Sequence, residues 1–277
     1  MIRTKLQPVL LLLAALSLAS GKATAQPAPA QLDAGTLIFS PRSPAGHTLP
    51  AGTDPSFIAS LYSLRDAVYE YTSPPEVERT AATITQAVQL QPFDDIDRNL
   101  VISRIEFLTA KAWNDSGDKK KAIPHFEAAM EAGQRSMAAG EHPAGLMAVT
   151  KALSELCIIK DVGYLIANGP KISQNANKIL AMKPGHIGAT LALAGSKAYP
   201  PSIFGGDPQG AVAMINALIL NHKDGFEKDE LFDTRVCIGT ADAKLGKKTE
   251  ARFWFMAALE LYPHNAYPKA ELEKLKS

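Results

Sequence analysis

The chain is predicted to fold as an all-α solenoid of about five stacked helical hairpins, ended by a C-terminal capping helix. Three observations predict this. After Asp54-Pro55 the sequence runs in long amphipathic stretches rich in Ala, Leu, Ile and Lys, separated by Pro and Gly, the residues that break helices. Runs of alternating β-branched residues, the mark of half-buried strands, are missing. One pattern of small and aromatic residues also returns at a spacing of roughly 40 residues, so the chain is expected to repeat one supersecondary unit.

Two segments precede the repeats. Arg3 and Lys5 lead into an apolar run from Val9 to Leu18, and Ala23-Thr24-Ala25 then offers a small-x-small cleavage site, so residues 1–25 read as an export signal. That run is too short to span a bilayer, and no Cys stands at the cleavage point to carry a lipid. The expectation is a periplasmic or secreted protein that does not span the membrane. Residues 26–54 are rich in Pro, Ala, Gly and Ser, with one short apolar patch at Leu37-Ile38-Phe39, and read as a mobile lead. Residues 55–277 form the repeat domain. Removing Arg3, Lys5 and Lys22 leaves 26 of the 29 basic residues against 28 acidic ones. A net charge near −2 is no nucleic-acid footprint.

The hairpins follow in order, most clearly at the C-terminal end. In "RVCIGTADAKLGKKTEARFWFMAALELYP" (235–263), Gly239 and Ala251 stand where two antiparallel helices would approach most closely, Gly246 takes the turn, Phe255 and Ala258 follow, and Pro263 ends the unit. "TAKAWNDSGDKKKAIPHFEAAMEAG" (109–133) repeats the frame with Ala110, Gly117, Ala122, Phe126 and Ala129. These two segments resemble the tetratricopeptide repeat in register. Weaker copies end at Pro92 and at Pro184, the latter closing a long third unit from 143, and another runs from His186 through Gly206, Ala211, Ile215 and Leu218. "AYPKAELEKLKS" reads as a polar helix that caps the stack. Cys157 and Cys237 fall on first helices two repeats apart, where a bridge would need Cα atoms within about 7 Å, so two buried free thiols are expected.

The stretch "YPPSIFGGDPQGA" (199–211) joins the two helices of the fourth hairpin. A phosphate-cradling loop would need Gly-x4-Gly-Lys-[Ser/Thr], and no Lys and hydroxyl follow Gly206. Asp207 and Pro208 instead suit a helix start, with the carboxylate capping free amides and Pro in the first helical position. The same stretch is similar to turns in the T components of periplasmic TRAP transporters. That resemblance covers about 15 residues and implies a monomeric or trimeric periplasmic helical protein, whose small-ligand groove hands its ligand to a substrate-binding protein. The absent lipid-anchor Cys departs from the family's lipoprotein members.

"DIDRNLVISRIE" (95–106) places Asp95, Asp97, Asn99, Ser103 and Glu106 at ligand positions of a calcium-binding EF-hand loop. Leu100 occupies the sixth position, where Gly permits the sharp turn, and a Leu there is costly. A helix explains the same residues without strain, with acids at its N-terminus and a stripe of Val101, Ile105, Leu108 and Ala112. The histidines show no His-x3-His spacing, no Cys-x2-Cys appears, and no Gly-x-Ser-x-Gly elbow is present. No catalytic residue, metal or cofactor is assigned, and the chain is not expected to be an enzyme.

Stacked hairpins bind on the face lined by their first helices. The repeat frame puts Tyr62, Arg65 and Tyr69 there from the first hairpin, Arg104, Phe107, Lys111 and Asn114 from the second, and His186, Ser196, Asp233, Thr240 and Lys244 from later ones. Tyr62, Arg65, Tyr69, Arg104, Phe107, Lys111, Asn114 and Lys244 are the candidate partner-binding residues. Arg65, Arg104 and Lys111 suggest a mildly cationic, aromatic-lined groove fit for an acidic peptide of a protein partner or for a carboxylate ligand, with Asp233 at the opposite end. The alternative is a small-ligand carrier or transporter accessory protein, for which a small carboxylate is the suitable ligand.

Overall fold

The computed structural model describes residues 46–202, 205–221 and 225–276. The export signal and the patch at Leu37-Ile38-Phe39 lie outside these. Eleven α-helices and no β-strand occur among the described residues: α1 (Pro55–Tyr69), α2 (Pro74–Val88), α3 (Asp95–Asp115), α4 (Lys119–Ser136), α5 (Pro143–Ile159), α6 (Val162–Met182), α7 (Ile187–Ala198), α8 (Pro208–Asn221), α9 (Lys228–Lys244), α10 (Lys248–Leu261) and α11 (Ala266–Lys274). They form five hairpins and a final single helix. The first helices begin at 55, 95, 143, 187 and 228, so the repeat runs longer than 34 residues throughout.

Local chemistry sets the boundaries. Asp54, Asp94, Asp118 and Asp161 each accept a backbone N–H in the first turn of α1, α3, α4 and α6. Such a cap satisfies amides that have no partner inside the helix and is worth about 1 kcal/mol. Gly117 and Gly246 take φ of 90° and 75° in the α3–α4 and α9–α10 turns, a left-handed conformation that Gly adopts without steric cost. Gly239 serves differently: a Cβ there would lie 3.0 Å from the Phe255 ring and 3.2 Å from the Trp254 Cβ, so α9 and α10 touch at this residue. Residues 95–106 lie within α3, with Leu100 buried in the core, and do not wrap as a calcium loop.

Each helix packs on the next, and the first helices also pack on one another, α1 on α3, α3 on α5, α5 on α7 and α7 on α9. That places α1, α3, α5, α7 and α9 in an inner layer and α2, α4, α6, α8 and α10 outside it. The stack then closes on itself. Phe57, Leu61, Leu64 and Val68 of α1 share one hydrophobic cluster with Phe232, Val236, Ala258 and Tyr262 of the last hairpin. Tyr69 stacks on Tyr262 at 4.8 Å and meets Phe232 edge-on at 5.4 Å. Polar bonds tie the same seam, with Asn265 donating to the Tyr69 carbonyl at 2.9 Å, the Tyr262 hydroxyl to Asp66 at 3.1 Å, and Lys228 to Asp66 at 3.1 Å.

The end of the lead segment is docked. His47 bonds Asp97 at 3.1 Å, and Leu49 packs against the cluster around α1. Cys157 and Cys237 are both buried and not bonded to each other. Burial pushes their thiols up to about 11 and about 12, which leaves them unreactive at neutral pH.

Candidate functional site: the polar centre of the ring

The inner helices are amphipathic in an unusual sense, since part of their inward face is charged. Residues one turn apart share a helix face. Arg65 and Tyr69 do so on α1, Lys111 and Asp115 on α3, Lys151 and Glu155 on α5, and Asp229, Asp233 and Cys237 on α9. The Tyr199 ring joins them from the end of α7, within electrostatic reach of Cys237, Asp233 and Glu155.

Closure of the ring fixes several of these charges in pairs. Arg65 Nη1 bonds Glu227 Oε2 at 3.2 Å and its Nε bonds Asp66 Oδ1 at 2.8 Å, while Arg104 Nη2 bonds Asp229 Oδ2 at 2.6 Å. All but Asp66 are buried. Burial alone would raise the Asp229 carboxyl, but Arg104, Lys151 and Arg65 outweigh it and hold the group well below the usual carboxylate range. Burial likewise opposes the charge of Lys111, and Asp115, 3.0 Å away, with Glu155 nearby, raises its pKa instead. Asp233 is pushed up to about 7, first by burial and then by the neighbouring Asp229 charge, with Lys151, Lys111 and Arg104 acting against the rise. Its one hydrogen bond among the described residues is a long one, 3.5 Å from the Tyr69 hydroxyl.

Three groups of the cluster keep open bonding capacity. Lys151, Glu155 and the Tyr199 hydroxyl form no hydrogen bond or ion pair to the described residues, and all three are half-buried. Lys111 and Asp115 keep side-chain exposure of 24% and 18%, and Asp115 lines a small cavity with Val68, Tyr71, Pro74 and Ser116. An ammonium that reaches its acids only electrostatically, with no direct hydrogen bond, leaves its N–H groups to water or a ligand.

The candidate residues divide clearly. Arg65, Tyr69, Arg104 and Lys111 come together at the centre, the first three buried. Tyr62 lies under the Arg65 guanidinium, 4.8 Å from its carbon, at the margin of the cluster. Phe107 turns away and packs edge-on against Phe126 at 5.6 Å, inside the second hairpin. Asn114 is half-buried and bonds none of the described side chains. Lys244 grips the Tyr199 carbonyl and bonds that of Pro200 at 3.2 Å, which anchors the loop. His186 caps α7, Ser196 bonds back to Leu193 and Thr240 meets Tyr267. Asp233 is not at an opposite end, because closure brings it against Tyr69.

The described residues of the loop, 199–202 and 205–207, form a helix corner. Asp207 accepts the Gly210 N–H at 2.8 Å and the Lys197 ammonium at 2.9 Å, and these two bonds hold its carboxyl below its ordinary value. A Cβ at Gly206 would come within 2.1 Å of the Pro200 carbonyl, which shows how tightly the corner folds. Through Tyr199 the loop nevertheless supplies one group to the centre.

Sequence reading missed Lys151, Glu155, Tyr199, Glu227 and Asp229. A signal for the first two was present: they are the only charged residues of α5, "PAGLMAVTKALSELCII", and stand one turn apart. No group of His, Cys, Asp and Glu able to hold a metal occurs among the described residues. No protein-family model matches the chain, and no curated protein matches it either.

Proposed function

We propose that the chain is an exported, tetratricopeptide-like binding protein whose site is the polar centre of the closed ring. Its ligand is a small carboxylate-bearing molecule, held in the manner of a carrier or transporter accessory protein. Ring closure carries this reading. A peptide laid along the inner face would have to displace Arg65 from Glu227 and Arg104 from Asp229, and uncoupling a buried pair costs about 3–5 kcal/mol. A small anion meets Lys151 without breaking a direct ion pair, since Lys151 forms none with the described residues.

A protein partner fits the outside better. Phe253 and Met256 of α10 are 44% and 56% exposed, one turn apart, and offer an apolar contact for a protein that receives or delivers the ligand. Calorimetric titration of the mature protein with small mono- and dicarboxylates tests the central site. Binding lost in Lys151→Met is the expected result, and retained binding in that variant removes the assignment. Export is tested by the mature N-terminus, expected at Gln26 by mass spectrometry of protein secreted from its host.

A further inference from the structure

Resting on the central site proposed above, we infer that its ligand is a small zwitterion, with a carboxylate taken by Lys151 and a cationic group taken by Glu155. The charges around the centre sort into two sets. Arg65, Arg104 and Lys111 are each within ion-pair distance of an acid, at 3.2, 2.6 and 3.0 Å. Lys151 and Glu155 are not: Lys151 acts on Asp229 and Asp233, and Glu155 on Lys111, only at longer electrostatic range. What lacks a direct ion pair is therefore Lys151 on the cationic side and Glu155, with Asp233 beside it, on the acidic side.

Their placement strengthens the point. Residues four apart on a helix have Cβ atoms about 5–6 Å apart and ordinarily pair when oppositely charged, though less well with Lys on the N-terminal side. Here they form no pair, in a helix otherwise free of charge. Leaving two opposite charges half-buried and separate costs solvation at each, a cost recovered when a ligand bridges them. A plain monocarboxylate satisfies Lys151 but leaves Glu155 and Asp233 facing its negative charge, and a plain amine leaves Lys151 open. A molecule bearing both groups answers both. The Tyr199 hydroxyl, also without a bond to the described residues, supplies a third polar contact.

The test is a calorimetric and thermal-shift panel on the full mature chain. The standard amino acids and 4-aminobutyrate are set against butyrate, succinate and butylamine. At least one zwitterion is expected to bind about tenfold or more tightly than its matched monocarboxylate and monoamine. Lys151→Met and Glu155→Gln are each expected to cost at least that factor, with Lys151→Arg retaining binding, and circular dichroism checks that each variant folds. If butyrate or succinate binds as tightly as any zwitterion and Glu155→Gln changes nothing, the zwitterion is wrong while the central carboxylate site stands. If no member of the panel binds, both readings fall.

Discussion

Asp233 stands against Asp229 at the ring's centre, and the consequence is a pH dependence of known sign. A carboxyl raised to about 7 in the folded protein, against roughly 3.9 unfolded, favours the fold while it is protonated. Its contribution is fully present below pH 4 and is lost as pH rises through about 7. Asp233→Asn should therefore leave stability unchanged near pH 4 and raise it by about 2–4 kcal/mol at pH 8, read from urea unfolding at both pH values. An equal effect at the two pH values would contradict the assignment. The Arg104–Asp229 pair gives the opposite lesson: Arg104→Met alone is expected to cost about 3–5 kcal/mol, because it strands a buried carboxylate, whereas Arg104→Met with Asp229→Leu should recover most of that. Arg65, Tyr69, Arg104 and Lys111 were legible because the repeat frame puts them on first helices and their polar ends suit a hairpin's apolar interior poorly. Their partners were not, because pairing across 125 to 164 residues depends on the curvature of the whole stack.

The helices were more legible than the site, for reasons confined to each element. Asp before Pro or at an N-cap, Gly in the turn and a small residue at the crossing all act within a few residues of themselves. Gly239 is such a case, and Gly239→Val should push α10 off α9 and cost about 1–3 kcal/mol by thermal unfolding. Asp207→Ala removes both the cap of α8 and the tether to Lys197, with an expected loss of about 1 kcal/mol. The 95–106 stretch shows how little spacing decides alone: oxygen-bearing residues at alternate positions fit a calcium loop, yet Leu100 is needed in the core and the segment is helical. Phe107 failed for a related reason, since the frame places a residue on a helix but does not choose between the inner space and the hairpin's own interior.

At the scale of the molecule, closure brings the first hairpin against the last, and the proposed function follows from that contact. It was not legible in the sequence because it is a sum of small rotations between successive hairpins, none of which has a residue signature of its own. Tyr69, Tyr262, Asp66 and Asn265 join the first hairpin to the last, so α1 has neighbours on both sides, as an internal repeat would. An open solenoid instead leaves its terminal hairpin supported on one side and prone to local opening. Native-state amide hydrogen exchange separates the two most directly. Residues 57–69 of α1 should exchange as slowly as the matching turns of α3 and α9, whereas an α1 that exchanges markedly faster than both would show that the ring is open and overturn the contact on which the proposed function rests.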